Sequence, residues 1–286
     1  MTGLVDPLSA AEPEERPLLV LLDGNYHAFR YHFGLAGISG PGGRPVGVLR
    51  AFADLFADLR QHSQVSHLAL VLDHPEPSFR RSLDPAYKAN RPPKPDELLS
   101  QLRDLPALAA ACGVPVLQVA GFEADDVLAG VARAAATEGF RVRICTRDKD
   151  LDQCLGPEVV LWDLAGGGLR TAADLAGQHQ GLRPEQVPDF LALCGDASDN
   201  VPGAKGVGPK RAATLLARYG DLDRVLDAAA ELGGALGRNL VAFRSQAPIS
   251  RRLVTIATVP DLPAPATLAI APPPMGGAAV LAGFGF

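Results

Sequence analysis

Two aspartates three residues apart are followed directly by a glycine-rich segment, and an apolar helical pattern begins after that segment. The segment spans residues 195–210, and its notable residues are Asp196, Asp199, Gly203, Gly206 and Gly208. Carboxylate oxygens are the ligands that hard divalent cations prefer, and free N–H groups at a helix N-terminus bind phosphate. A metal site beside a backbone phosphate clamp indicates an enzyme that cleaves nucleic acid.

Acidic residues recur at four other places, each at the end of an apolar run or at the start of a helical pattern. They are Asp23, Asp73, the trio Glu123, Asp125 and Asp126, and the pair Asp148 and Asp150. Helix capping explains the trio as well as a metal role does, and a solvated turn explains the pair. Clustered carboxylates repel one another unless a cation compensates, so their recurrence at five places favours one shared metal site.

The glycine-rich segment is also locally basic, although the net charge of the 286-residue chain is −5. Residues 203–218 hold no acid and four cations, which are Lys205, Lys210, Arg211 and Arg218. This charge pattern predicts contacts with the phosphates of a duplex, which position the duplex without reading its sequence. The alternative interpretation is a simple turn between two helices.

A second basic stretch, residues 85–95, mixes Tyr87, Lys88 and Arg91 with several prolines. The mixture predicts a segment that grips a single strand, with the Tyr87 ring stacked on a base and the two cations on phosphates. A solvated surface loop is the alternative interpretation.

The elements that must position these groups alternate between strand-like and helix-like patterns. Apolar runs predict strands at residues 18–22, 67–72, 114–119, 141–146 and 159–162, and helical spacing predicts helices at 46–59, 98–112 and 124–137. This alternation predicts a mostly parallel sheet covered by helices. Ligands bind beyond the carboxyl ends of such strands, where Asp23, Asp73 and Asp148 are placed.

The rest of the chain is predicted to be helical after an acidic leader at residues 1–16 and an α/β core at residues 17–170. Helices are predicted at 172–179, 185–194, 208–219, 222–232 and 235–245, with a helix–hairpin–helix at about 196–220. We assign residues 171–286 to this helical region, in which the stretch 260–274, rich in proline and alanine, is expected to be extended or loosely packed.

Composition narrows the class of protein. The chain is 47% hydrophobic and 21% charged, as a soluble globular protein would be. Its apolar runs are too short to cross a bilayer, and no secretory signal is visible. The four cysteines form no close pair, which predicts reduced thiols and a cytoplasmic location without a membrane partner.

Taken together, the motifs resemble those of the bacterial 5′ nucleases, the 5′→3′ exonuclease and flap endonuclease domain of family-A DNA polymerases and its stand-alone relatives. The resemblance covers about residues 18–252. It rests on Leu22-Asp23-Gly24, Phe79-Arg80, Tyr87-Lys88-Ala89-Asn90-Arg91, Glu123-Ala124-Asp125-Asp126, Thr146-Arg147-Asp148-Lys149-Asp150-Leu151 and residues 195–210. The fold it implies is a PIN-like α/β core with a helical arch at about 74–97, which gathers the 5′ strand, and a C-terminal helix–two-turn–helix.

The resemblance also implies roles for particular residues. The metal-site acids are Asp23, Asp73, Glu123, Asp125, Asp126, Asp148, Asp150, Asp196 and Asp199. The catalytic cations near the scissile phosphate are Lys88, Arg91 and Arg30. The DNA-binding residues are Tyr87, Lys88, Arg91, Gly203, Lys205, Gly206, Gly208, Lys210 and Arg211. Two or more Mg²⁺ ions are implied, for which Mn²⁺ could substitute, and K⁺ at the hairpin carbonyls.

The expected activity is hydrolysis of DNA at 5′ ends and 5′ flaps in replication and repair, by a monomer that works with a DNA polymerase. The alternatives are a catalytically weak DNA-junction-binding protein of the same fold and an RNA-directed nuclease. Arg147 stands where relatives carry a small residue, and the region after Arg252 matches weakly. No polymerase motif precedes the last residue, Phe286, and a gene product that ended there would be a stand-alone nuclease.

Overall fold

A six-stranded sheet forms the centre of the computed structural model, which describes residues 16–35 and 37–286. The strands are β1 (Leu18–Asp23), β2 (Val65–Val71), β3 (Val116–Leu117), β4 (Arg141–Cys145), β5 (Val159–Asp163) and β6 (Gly168–Arg170). They lie in the order β3-β2-β1-β4-β5-β6, and all neighbours are parallel except the antiparallel pair of β5 and β6. This confirms the predicted α/β fold. Of the predicted leader, only Arg16 lies within the described residues.

Helices cover both faces of the sheet. They are α1 (Gly24–Gly34), α2 (Gly47–Gln61), α3 (Phe79–Leu83), α4 (Asp96–Ala111), α5 (Ala124–Thr137), α6 (Ala172–Gln178), α7 (Val187–Cys194), α8 (Pro209–Tyr219), α9 (Leu222–Asp227), α10 (Ala229–Leu232), α11 (Gly234–Phe243), α12 (Ala247–Val254) and α13 (Gly277–Phe284). No helix among the described residues combines the length and apolar character needed to cross a membrane.

The central strand β1 is apolar at each position from Leu18 to Leu22 because both of its faces are covered. Leu19 and Leu21 enter a hydrophobic cluster that continues through α5 into the C-terminal helices. Leu18, Val20 and Leu22 point to the other face, into a cluster with α2 and α4. All five are fully buried, since a parallel strand covered on both faces alternates between two cores instead of between core and water. The cluster that contains Leu19 and Leu21 includes residues on both sides of position 170. The domain boundary predicted at residue 170 stays a prediction.

Four helices were not predicted from the sequence pattern: α1, α3, α12 and α13, of which α3 lies within the range of the arch that the resemblance implied. The sequence of α1 has no apolar stripe, and the helix begins because Asp23 caps it by accepting a hydrogen bond from Tyr26 N at 3.0 Å. The predicted helix at 222–232 is divided into α9 and α10. Strand β3 is only two residues long, shorter than the predicted strand at 114–119, and strand β6 was not predicted from the sequence.

The C-terminal stretch packs back on the core. Ile270 N donates to Ser66 O at 2.9 Å and Arg60 Nη2 to Ala271 O at 2.7 Å. Because β3 is short, the start of β2 is an open sheet edge, and this stretch covers it. Within residues 260–274 the only helical turn is Pro265–Leu268, as an extended segment predicts. Leu268 is nevertheless buried, so the stretch is not loosely packed.

Candidate active site

Strand β1 lies where the strand order changes direction, since β2 pairs on one side of it and β4 on the other. A crevice at such a point is where open α/β sheets bind ligands. Asp23, the last residue of β1, lies in it and is buried. Its Oδ2 accepts a hydrogen bond from Thr146 Oγ1, just past β4, at 2.8 Å. The end of β1 is thereby joined to the loop that carries Asp148 and Asp150.

Asp73, just past β2, joins three elements. Its Oδ2 accepts from Asn25 Nδ2 at 2.8 Å and its Oδ1 from Ala124 N at 2.9 Å. The backbone N–H of Asp73 donates to Asn25 Oδ1 at 2.9 Å. The start of α1 and the start of α5 are therefore fixed on the same carboxylate, which brings the acids of α5 to the sheet edge.

Burial and mutual repulsion perturb the acids at this edge. Burial raises the pKa of Asp23 to about 7, and the charges of Asp148 and Asp73 add to the effect. Burial, with the charge of Asp148 next, also raises the pKa of Asp150 to about 7. The pKa of Asp125 is raised well above its usual value by burial and then by Asp148 and Asp23. Such a group of carboxylates favours added positive charge.

A second group of acids is neutralised by the basic segment, which we define as residues 86–91. Glu123 Oε2 accepts from Tyr87 OH at 3.0 Å and lies 3.0 Å from Lys88 Nζ. Asp199 Oδ2 accepts from the same tyrosine at 3.1 Å and lies 3.6 Å from Lys88 Nζ. Arg91 forms an ion pair with Asp199. The predicted phosphate-binding cations thus lie directly beside predicted metal-site acids.

The Tyr87 ring cannot serve as the predicted stacking platform in this structure. Tyr87 is only 3% exposed, and its ring belongs to the hydrophobic core. Its hydroxyl bridges Glu123 and Asp199, and this pairing satisfies a buried polar group. Around it, residues 84–95 form turns and irregular chain between α3 and α4.

The structure also separates Asp126 from the predicted metal ligands. Its two carboxylate oxygens accept from Arg80 Nη1 and Nη2 at 2.6 and 2.7 Å, and Oδ1 also accepts from Ala257 N at 2.8 Å. Oδ2 further accepts from Glu123 N at 3.1 Å. Asp126 is fully buried. It is an ion-pair partner that ties α5 to α3 and to the segment just after α12, and its assignment as a metal ligand is corrected.

Asp196 pairs with Lys149, which also lies near Asp150. Its Oδ2 accepts from Lys149 Nζ at 2.5 Å, and its Oδ1 accepts from Ser198. Asp196 N and O also pair with Val201, which closes a tight loop over residues 196–201. Despite its burial, hydrogen bonds from Lys149 and Ser198 lower the pKa of Asp196.

The carboxylate oxygens at this edge are ligands that suit a hard divalent cation, although their side chains do not point to one common position. Across residues 16–35 and 37–286, no three His, Cys, Asp or Glu side chains stand where they could together hold one metal ion. Bonds to Thr146, Asn25 and Lys149 fix several of the acids in their present places. Asp150 Oδ1, however, is buried without a hydrogen-bond partner, with Lys149 Nζ 3.8 Å away, so this oxygen can still serve as a ligand for a cation.

The glycine-rich segment forms the predicted helix–hairpin–helix between α7 and α8. A Cβ at Gly203 would lie 2.3 Å from Cys194 C and Gly195 N, so no larger residue fits there. Gly206 has φ of 78° and Gly208 precedes α8. Lys205, Lys210 and Arg211 are exposed. The hairpin therefore presents cations and backbone on one surface, while Arg211 also donates to Gly206 O.

Two sequence models match this chain. One, for the N-terminal resolvase-like domain of 5′-3′ exonucleases, matches residues 18–183, and the other, for their C-terminal SAM fold, matches residues 182–274. The chain belongs to the 5′-3′ exonuclease family. It is thus an enzyme of the nuclease class.

Curated relatives of this 5′-3′ exonuclease are much longer than the chain. The thermostable DNA polymerase I of Thermus thermophilus is 40% identical over 253 residues, which is 88% of this chain and 30% of that protein. DNA polymerase I of Mycobacterium bovis is 36% identical over 268 residues, 92% of this chain and 30% of that protein. The chain spans about a third of the length of these relatives.

Solved structures share the fold of this 5′-3′ exonuclease. T5 5′-exonuclease with bound divalent metal ions (zinc) superposes with a TM-score of 0.72 at 21% identity, over 83% of this chain and 89% of that one. The catalytic core of Rad2 in complex with DNA substrate has a TM-score of 0.62 at 13% identity, over 95% and 89% of the two chains.

Several residues that build this site had no role assigned from the sequence. Arg80 pairs with Asp126, Asn25 holds Asp73, and Thr146 holds Asp23. Arg80 belongs to a motif that carried the family resemblance, but its partner is 46 residues away in sequence, and only the tertiary structure reveals it. Arg30, predicted to be catalytic, lies exposed on α1 and forms no ion pair with any described residue.

Proposed function

We propose that this 5′-3′ exonuclease is a divalent-metal-dependent nuclease that hydrolyses DNA at 5′ ends and 5′ flaps in replication and repair. The observation that supports the proposal most strongly is the sheet edge itself. Burial, with mutual repulsion added, raises the pKa of carboxylates from β1, α5 and the segment after β4 there, directly beside the cations Lys88 and Arg91. Such a site favours metal ions and a bound phosphodiester.

The residues that would hold the metal are those at the sheet edge and in the facing loop: Asp23, Asp73, Glu123, Asp125, Asp148, Asp150, Asp196 and Asp199. The proposed ions are two or more Mg²⁺, with Mn²⁺ able to substitute. When bound, such a pair of ions activates a water molecule and stabilises the leaving oxygen. The bound divalent ions of T5 5′-exonuclease, a protein of the same fold, support this proposal.

The cations of the basic segment would orient the substrate. Lys88 and Arg91 now neutralise Glu123 and Asp199. A phosphodiester that enters the site offers them an alternative anionic partner, and holding it in line for attack lowers the entropic part of the barrier. Arg30, exposed on the helix that follows Asp23, is proposed to make a further phosphate contact.

The hairpin would hold the duplex through Lys205, Lys210, Arg211 and the backbone at Gly203, Gly206 and Gly208. A K⁺ ion at the hairpin carbonyls is part of the proposal. The chain is similar to part of DNA polymerase I, and this similarity supports the proposal that it works together with a DNA polymerase. We further propose that the protein acts as a monomer in the cytoplasm, on DNA.

The decisive experiment is cleavage of a labelled 5′-flap duplex by the protein with Mg²⁺, with Mn²⁺ and with EDTA. Release of the flap in both metals and none in EDTA is the expected result. A second substrate with an RNA 5′ strand tests the preference for DNA. Tight flap binding with no cleavage in either metal would identify a DNA-junction-binding protein instead and overturn the proposal.

A further inference from the structure

The basic segment (residues 86–91) is bound along its length to the acid loop, which we define as residues 196–201. Lys88 N donates to Asp199 O at 2.9 Å. Asn90 Nδ2 donates to Ala197 O at 2.7 Å, and Asn200 Nδ2 donates in the opposite direction to Ala86 O at 2.8 Å. Two side-chain amides thus bridge the two backbones, one from each side.

The backbone of both partners is held in an unusual conformation. Lys88 has φ of 54° and Asn200 has φ of 57°. Asparagine tolerates this left-handed region, but it is unfavourable for lysine. The contacts with the acid loop must therefore hold Lys88 in place, and this conformation directs its ammonium group to Glu123 and Asp199.

We propose that Asn90 and Asn200 are positioning residues that latch the basic segment to the acid loop and so fix Lys88 and Arg91 at the reacting phosphate. Their amides bind backbone carbonyls and no carboxylate. The acid loop leads directly into the hairpin at Gly203, so the latch also fixes these cations relative to the element that would hold the duplex. The inference rests on the proposed nuclease function.

The test measures three properties of the variants Asn90→Ala and Asn200→Gly: cleavage rate, flap affinity and hydrogen exchange. The glycine of the second variant keeps the left-handed backbone free of strain. Single-turnover cleavage of a 5′-flap duplex should slow by roughly tenfold, because a small misplacement of an orienting group lowers the rate of the chemical step. Flap affinity in EDTA should stay within about twofold, since the phosphate-contacting side chains remain. Hydrogen exchange at Lys88 N–H should become faster.

The control is Gln178→Ala, which removes an exposed amide oxygen that accepts from Arg170 Nη1 at 2.7 Å, outside the latch. It should leave all three properties unchanged. In a Lys88→Ala, Arg91→Ala background, Asn90→Ala should cause no further loss of rate, because residues that act through one another are not additive.

Unchanged exchange at Lys88 in both asparagine variants would overturn the latch, whatever the activity of the protein. Faster exchange with an unchanged cleavage rate, or a full additional loss of rate in the double-alanine background, would overturn its positioning role. Failure of the wild-type protein to cleave any flap would overturn the proposed function together with that positioning role, while the exchange data would still decide whether the latch exists.

Discussion

At the scale of single residues, the acids of this protein divide into those that repel one another and those that have a cationic partner. Asp23, Asp125 and Asp150 belong mainly to the first kind, because burial and neighbouring carboxylates raise their pKa, although Lys149 Nζ lies 3.8 Å from Asp150 Oδ1. Asp126 belongs to the second, because Arg80 pairs with it in the core. This division predicts different outcomes for substitutions that are chemically identical.

Asp150→Asn should reduce flap cleavage by roughly a hundredfold or more at limiting Mg²⁺ while flap binding persists. Its Oδ1 is buried and has no hydrogen-bond partner, and a lost metal ligand damages the site without removing phosphate contacts. Rates and dissociation constants are measured in parallel. Asp58→Asn, at an exposed acid of α2, is the matched control. Wild-type cleavage by the Asp150 variant would contradict the metal assignment.

Asp126→Asn should act on stability instead. Removing one charge from a buried ion pair costs about 3–5 kcal/mol, which corresponds to a melting temperature lower by roughly 6–20 °C. The folded fraction should still cleave at a permissive temperature. The neighbouring Asp125→Asn is the comparison, and it should abolish cleavage with little loss of stability. If Asp126→Asn abolished cleavage at an unchanged melting temperature, Asp126 would be a site residue after all.

At the scale of elements, the packing of the hairpin between α7 and α8 determines which of its groups can contact DNA. The hairpin between α7 and α8 is held by the tight contact at Gly203, where a side chain has no space, while Lys205 and Lys210 extend into solvent. A tightly packed backbone with exposed cations suits contacts to a duplex that are independent of sequence.

Lys205→Ala with Lys210→Ala should therefore weaken duplex binding and reduce its salt dependence. Each lost phosphate contact lowers the slope of log affinity against log salt by about 0.9, so the double variant should lose about two units. Binding is measured by titration at several salt concentrations. Arg50→Ala, which removes one exposed cation from α2, is the control and should leave the slope unchanged. Identical slopes for the double variant and the wild type would exclude the hairpin as a duplex contact.

At the scale of the whole molecule, the sheet edge gathers acids from distant parts of the chain, and their repulsion opposes folding. A divalent ion that binds the folded site and not the unfolded chain stabilises by mass action. Residues at and just after the end of α12 pack next to this edge: Ala257 N donates to Asp126 Oδ1, and Gln153 Nε2 donates to Val254 O.

Addition of Mg²⁺ or Mn²⁺ should accordingly raise the melting temperature. At a hundredfold excess over the dissociation constant the gain is about 2.7 kcal/mol, or roughly 5–11 °C for a chain of this size. Ca²⁺ should also stabilise, because it prefers oxygen ligands, yet support little cleavage. A melting series beside a flap-cleavage assay makes the measurement. An equal shift in the Asp148→Asn, Asp150→Asn variant would show that these carboxylates do not form the site.

The sequence by itself determined the sheet, most of the helices and the places where the acids occur. Apolar runs such as that of β1 are strong signals, because burial on both faces leaves no polar position in them. Acids at strand ends then had to meet at one edge, since parallel strands end on the same side. The helix α1 was missed because its stability comes from the Asp23 cap and from packing, and not from an amphipathic pattern.

Only the tertiary structure decided what each charged group contacts. Arg80 and Asp126 are 46 residues apart in sequence, and Tyr87 and Asp199 are 112 apart. Spacing along the chain contains no signal for such pairs. Sequence reasoning therefore placed Tyr87 on the surface as a stacking ring and Asp126 at a metal. The fold buries both, and buried polar groups must find partners in the protein because water cannot reach them.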